Sequence, residues 1–164
     1  MESGAAFYVK QGNVYILKLS GDVRYTMGCA LGDFLSGLFA RTDYDDIVVD
    51  LIDVRSIDST SLGLLAKIAN FNRQRFARKT TLLSTNPDVN QILDNMGFYD
   101  IFNIRDSGET ITAALRQLAI DGPCKDELTR IVYEAHQTLS ELNPRNREAF
   151  KSVLDNLRSK LGDR

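Results

Sequence analysis

The chain has 164 residues, which is enough for one ordinary domain with a short appendage. Hydrophobic residues make up 43% of it and charged residues 26%, a globular composition that excludes a disordered tail and an integral membrane protein. The net charge of -2 argues against a protein that binds nucleic acid through overall basicity. We therefore expect a partner other than nucleic acid or a membrane.

The chain lacks the residues that several common catalytic and binding sites require. The chain carries one histidine and no glycine-rich phosphate-binding motif, so we expect no catalytic site, no metal and no cofactor. The first residues show no pattern of a secretory signal, so we expect a cytoplasmic protein. Cys29 and Cys124 fit no zinc spacing, and in the cytosol we expect them not to form a lasting disulfide.

The chain divides at a turn-forming Asp-Gly-Pro cluster at residues 121–123, after which charged residues become denser. We predict one domain over residues 1–120 and a helical extension over residues 121–164. Hydrophobic periodicity and turn residues place the elements of the first part. In chain order, these are strands 7–10 and 14–19, helix 27–40, strand 47–51, helix 62–78, strand 80–84, helix 87–96, strand 101–104 and helix 110–118.

This order, ββαβαβαβα, predicts an α/β fold in which a mixed β-sheet is layered with helices. The extension carries two apolar stripes at helical spacing, divided by Asn143 and Pro144, which are typical of a helix start. Two amphipathic helices must bury their stripes. Either they pack onto the domain as a lid, or they bind a partner helix or a second copy of the chain, forming a homodimer.

The most informative stretch is residues 48–65, which read VVDLIDVRSIDSTSLGLL. A buried strand runs into an acidic turn, then into a hydroxyl cluster that opens a helix. A second motif, Gly21-Asp22-Val23-Arg24, follows the second strand and precedes Tyr25 and Thr26. Both motifs resemble those of the STAS family, the anti-sigma factor antagonists of bacteria, and the resemblance extends over about residues 7–118.

The resemblance implies a regulator that catalyses nothing itself. In the family, the serine after the aspartate is phosphorylated by a partner serine kinase that is also an anti-sigma factor, and by position this is Ser59. The unphosphorylated form binds the anti-sigma factor and frees the sigma factor; a PP2C-type phosphatase restores it. This partner switching regulates transcription. The resemblance implies a binding face made of Asp22, Arg24, Tyr25, Thr26, Asp58, Ser59, Thr60, Ser61 and Leu62.

The chemistry of a serine at a helix start fits this role. A phosphate there meets backbone N–H groups that have no intrahelical partner, and it adds a charge of about -1.5 to -2 beside Asp58. The alternative is that Ser59 only caps the helix. Thr60, Ser61 and Ser56 are competing phosphate acceptors. Two positions depart from the family pattern: Ser61 stands where glycine is frequent, and Arg24 replaces an aspartate.

Other interpretations remain open. The chain could be a STAS subunit of a transport or lipid-trafficking complex, which uses the same face without phosphorylation. A hydrolase would need a base near Ser59, and the one histidine, His136, lies in the extension; it could also serve phosphotransfer. The basic run at Arg73, Arg75, Arg78 and Lys79 favours a helix C-terminus over a nucleic-acid site.

Overall fold

The computed structural model describes residues 3–106, 114–120, 122, 124 and 126–162. Within these, six strands form one mixed sheet in the order β5-β4-β3-β2-β1-β6. The strands are β1 (Ala5–Gln11), β2 (Val14–Val23), β3 (Asp46–Ile57), β4 (Thr80–Leu83), β5 (Phe102–Arg105) and β6 (Arg116–Gln117). The helices are α1 (Gly28–Ala40), α2 (Ser59–Phe76), α3 (Pro87–Asn95), α4 (Phe98–Ile101), α5 (Leu128–Ser140), α6 (Pro144–Ala149) and α7 (Lys151–Gly162). The predicted fold class is confirmed.

The topology places the main helices on one face of the sheet. Strands β2, β3, β4 and β5 are parallel neighbours in that order, and helices connect each to the next. Because such crossovers are right-handed and step in one direction, they bring α1, α2 and α3 to the same face. The residues that face them are apolar and fully buried, among them Leu19, Ile47, Val49, Leu51 and Leu82, each 0% exposed.

The turn between β2 and α1 depends on a glycine. The pairing of β2 with β3 shifts register between Gly21 and Asp22, and Gly21 has φ 71°, which is costly for other residues. A short 3-10 turn (Tyr25–Met27) follows. The Gly-Asp motif therefore sets the end of β2 beside the end of β3, where Asp22 pairs with Ser56.

The extension packs onto the domain, which is the first of the two arrangements predicted for it. Helix α5 lies against α1 and α2, and it buries Ala135 and Leu139 completely. Helix α6 begins at Pro144, where the Asn143 side chain accepts a hydrogen bond from the backbone N–H of Asn146 at 2.8 Å. No residue of α7 is buried, and Val153 is 38% exposed, so the predicted homodimer stays a prediction for α7 rather than α5.

Three expectations are wrong. The helix predicted over 110–118 is not formed at its end, because Arg116 and Gln117 pair antiparallel with β1; residues 107–113 lie outside the described residues. The second helix of the extension is divided at Phe150 into α6 and α7. Cys29 and Cys124 form a disulfide with Cα atoms 6.1 Å apart, because packing of the extension brings Cys124 beside the start of α1.

Candidate functional site

Asp58 organises the start of α2. It is the N-cap residue, with extended backbone, and its Oδ1 accepts a hydrogen bond from the N–H of Ser61 at 2.9 Å. Its Oδ2 accepts a second from the N–H of Tyr25 at 2.6 Å. One carboxylate therefore ties the 3-10 turn to the first turn of α2, which brings the two sequence motifs together.

Asp22 is held in its charged form beside this junction. Its carboxylate accepts hydrogen bonds from Arg55 Nη2 at 2.9 Å and from Ser56 Oγ at 2.7 Å. These bonds, with the nearby charges of Arg55 and Arg24, lower the pKa of Asp22 from 3.8 to about 2. Arg24 itself is exposed, so the residue that departs from the family pattern adds a cation to the rim of the site.

Ser59 is the first residue of α2, and its hydroxyl is engaged by the extension. Ser59 Oγ lies 2.8 Å from Nε2 of His136 in α5. His136 Nδ1 lies 2.7 Å from the carbonyl oxygen of Val132, which can only accept, so Nδ1 carries the ring proton. In the neutral imidazole, Nε2 is then the acceptor, and the Ser59 hydroxyl donates to it.

The remaining predicted site residues divide into two groups. Tyr25, Thr26 and Arg24 are exposed on the 3-10 turn, and Tyr25 is 48% exposed. The other group lies under α5 or in the core: Thr60, Ser61 and Leu62 are 4%, 2% and 1% exposed. The nine residues of the predicted face therefore lie near one another, but three of them are buried and only three are exposed.

Helix α5 covers these residues because it approaches α2 closely. A Cβ atom on Gly63 would lie 2.6 Å from the backbone carbonyl carbon of Ala135, nearer than real Cβ contacts come. Any side chain at position 63 would thus collide with the backbone of α5. Beside this crossing, a mainly apolar groove of about 300 Å³ runs between Tyr25, Thr60, Val132 and Leu157.

Ser59 and His136 resemble half of a hydrolase site, but the rest of the chemistry is different. In a catalytic triad, a carboxylate orients the ring at Nδ1, whereas here the backbone carbonyl of Val132 does so. His136 is 5% exposed and its ring packs edge-on against Phe150, with centroids 5.4 Å apart. The pair is therefore a part-buried hydrogen bond that fastens α5 to α2.

The described part of the chain offers neither a metal site nor a membrane-spanning helix, and its basic run serves the end of a helix. No group of three or more histidine, cysteine or acidic side chains there could hold a metal ion, and no helix there is long and apolar enough to cross a membrane. The basic run ends α2 as predicted: Arg75 stacks over Phe71 and Phe76, with centroid distances of 5.6 and 5.8 Å, and Arg78 Nη1 lies 3.5 Å from Asp46.

Comparison with known proteins identifies the family. The model of the STAS domain matches residues 7–111. The chain belongs to the STAS domain family. Among curated proteins nothing matches. A solved structure described as an anti-sigma factor antagonist from Mycobacterium paratuberculosis is similar, with a TM-score of 0.53 at 18% identity; the match covers 64% of this chain and 87% of that one.

That structural match shows a shared fold. The STAS match ends at residue 111, so it does not include α5, α6 and α7. The resemblance found in the sequence is thus confirmed at the level of family and fold. The sequence did not reveal His136 as a neighbour of Ser59, because 77 residues separate them. The signal available was the chain's one histidine on an apolar helix face.

Proposed function

We propose that this STAS protein is a cytoplasmic anti-sigma factor antagonist that works by partner switching. In its unphosphorylated form it binds an anti-sigma factor that is also a serine kinase, and so frees a sigma factor. Phosphorylation of Ser59 ends that binding, and a PP2C-type phosphatase restores it. The chain is a binding module in this scheme and contributes no catalytic group.

The observation that carries the proposal is the position of Ser59, directly after the N-cap Asp58 and at the first position of α2. The first turn of a helix offers N–H groups and the positive end of the dipole, which favour a phosphate. The modification can therefore be accommodated without unfolding the domain. It adds a charge of about -1.5 to -2 beside Asp58, which repels a partner shaped for one carboxylate and a neutral hydroxyl.

The local structure favours Ser59 over the competing acceptors. Thr60 and Ser61 are 4% and 2% exposed, whereas Ser59 is partly buried. Ser56 lies in strand β3, and its hydroxyl donates to the Asp22 carboxylate at 2.7 Å, so a phosphate there would lie against a negative charge and not at a helix N-terminus. In the transfer, Ser59 Oγ forms a bond to the γ-phosphorus of ATP, the bond to the ADP oxygen breaks, and the hydroxyl proton passes to a base of the kinase.

A pull-down with the full chain from its native cell tests the proposal. An ATP-dependent serine kinase should co-purify and should add one phosphate to the parent protein, measured by intact mass. Ser59→Ala should receive none, and Ser56→Ala should receive the same amount as the parent. Equal phosphorylation of Ser59→Ala and the parent would show that Ser59 is not the acceptor.

Binding measurements test the charge mechanism separately. Ser59→Ala should keep its affinity for the anti-sigma factor in a titration, and Ser59→Asp should weaken it. Indistinguishable affinities would contradict repulsion as the cause of release. If a transporter ATPase or a lipid-trafficking subunit co-purified in place of a kinase, the chain would be a non-phosphorylated STAS subunit of such a complex.

A further inference from the structure

Helix α5 occupies the surface that Ser59 must present to a kinase. His136 accepts the Ser59 hydroxyl at 2.8 Å. Around this contact, α5 also covers the start of α1, where a Cβ on Gly28 would lie 3.4 Å from Ile131 and 3.7 Å from Leu128. A partner that contacts Ser59 and Thr60 needs the space that α5 fills.

Helix α5 makes specific packing contacts along its length. Its middle crosses α2 where Gly63 has no side chain, so the two backbones touch. On one side of the crossing, Glu134 pairs with Lys67 at 3.2 Å; on the other, Leu139 is fully buried in the core. This combination of a backbone contact, an ion pair and core burial indicates a built intramolecular interface.

Both ends of the covering segment are attached as well. At its start, the disulfide links Cys124 to Cys29 of α1. At its far end, Asn146 is 2% exposed and its Nδ2 donates to the carbonyl oxygens of Met96 at 2.9 Å and Leu139 at 3.0 Å. The segment therefore closes over Ser59 from two anchored ends.

Helix α5 obstructs the approach of a phosphoryl donor to the Ser59 hydroxyl in this arrangement. Its proton points to Nε2 of His136, and the incoming phosphorus would need room for in-line attack next to the same ring. A phosphorylated Oγ also has no hydrogen left to donate to Nε2. Phosphorylation of Ser59 thus removes the hydrogen bond by which its hydroxyl fastens α5 to α2.

We propose that α5, held by α6 and the disulfide, is a built-in cover that competes with the partner for the Ser59 face. Ser59 becomes a phosphate acceptor, and the face becomes available to the anti-sigma factor, when the cover is displaced. The identity of the competing partner rests on the proposed function. The existence of the cover does not, and it can be measured without any partner.

The test uses the full chain with Ser59→Cys and the reagent iodoacetamide. The disulfide occupies both native cysteines, so the new thiol is the free one; its thiolate forms an S–C bond and releases iodide. We expect the native protein to react far more slowly than the same protein unfolded in urea. If the native and unfolded rates were equal, Ser59 would not be covered.

Gly63→Ala in this background places a methyl group against the backbone of Ala135, and overpacking of this kind should raise the labelling rate by roughly 5- to 150-fold. Gly37→Ala is the matched control, because a Cβ there meets nothing within 4 Å. Equal rates for the two glycine variants would overturn the proposal. If Gly63→Ala does not fold, Asn146→Ala loosens the far anchor and should raise the rate in the same direction; no rise with a folded Asn146→Ala would also overturn it.

The kinase recovered by the pull-down then tests the competition. It should phosphorylate Gly63→Ala, with native Ser59, several-fold faster than Gly37→Ala. Equal rates would refute competition at this face. If labelling shows a cover but no anti-sigma kinase binds any variant, the proposed function fails and the cover stands.

Discussion

Asp58 provides a quantitative test of how the site is assembled, because its two carboxylate oxygens stabilise two different elements. Asp58→Ala removes the N-cap bond to Ser61, typically worth about 1 kcal/mol. It also removes a charge-assisted bond from Tyr25, worth about 1.5–3 kcal/mol. We expect a loss of about 2.5–4 kcal/mol in the free energy of unfolding, or roughly 5–16 °C in Tm for a chain of this size.

Urea unfolding followed by far-UV circular dichroism measures this loss. Asp94→Ala is the control, because Asp94 is an exposed carboxylate of α3, and it should change the unfolding free energy by no more than about 0.5 kcal/mol. Asp58→Ser keeps a capping oxygen but loses the bond to Tyr25, so its value should fall between the two. If Asp58→Ala matched Asp94→Ala, the carboxylate would not be what joins the 3-10 turn to α2.

Three other predictions concern charge and covalent linkage. Because hydrogen bonds from Arg55 and others lower the pKa of Asp22 to about 2, its stabilising effect is present above pH 3.8 and is lost as the pH falls toward 2. Asp22→Asn should therefore lose less stability than the parent between pH 4 and 2 in urea titrations. Lys18→Met leaves the fully buried Asp50 without its cation and should lower the free energy of unfolding by about 3–5 kcal/mol. A smaller loss in the double variant that also carries Asp50→Leu would identify the unpaired charge as the cause. Cys124→Ser should accelerate hydrogen exchange in α5 and lower the unfolding free energy by up to about 4–5 kcal/mol, and unchanged exchange would show that the disulfide does not hold the extension.

Local sequence patterns were sufficient for most of the domain. Leu31, Leu35 and Leu38 recur at helical spacing and are all buried in α1. Strand β3 was recognised from a short apolar run, although it continues to Ile57 because its later residues pair with the end of β2. The resemblance to the STAS family also implied that the Gly-Asp motif lies beside Asp58, and the structure gives the reason, because parallel strands β2 and β3 end at the same edge of the sheet.

Contacts between distant segments could not be read in this way. The sequence around Arg116 and Gln117 has no strong strand pattern. These residues form a strand because the edge of β1 offers hydrogen-bonding groups. Likewise, the link from Cys29 to Cys124 and the bond from Ser59 to His136 depend on where α5 docks. The amphipathic pattern of the extension showed that it must be buried, but the surface it covers is decided by Gly63, whose missing side chain admits a helix.

The hydrogen bond between Ser59 and His136 also gives this protein an internal spectroscopic probe. His136 is the one histidine of the chain, so its imidazole protons and nitrogens form a single set of NMR signals. Those signals depend on whether Nε2 accepts a serine hydroxyl or meets water. Without any label attached to the protein, they report in real time on the chemical state of the residue proposed as the phosphate acceptor.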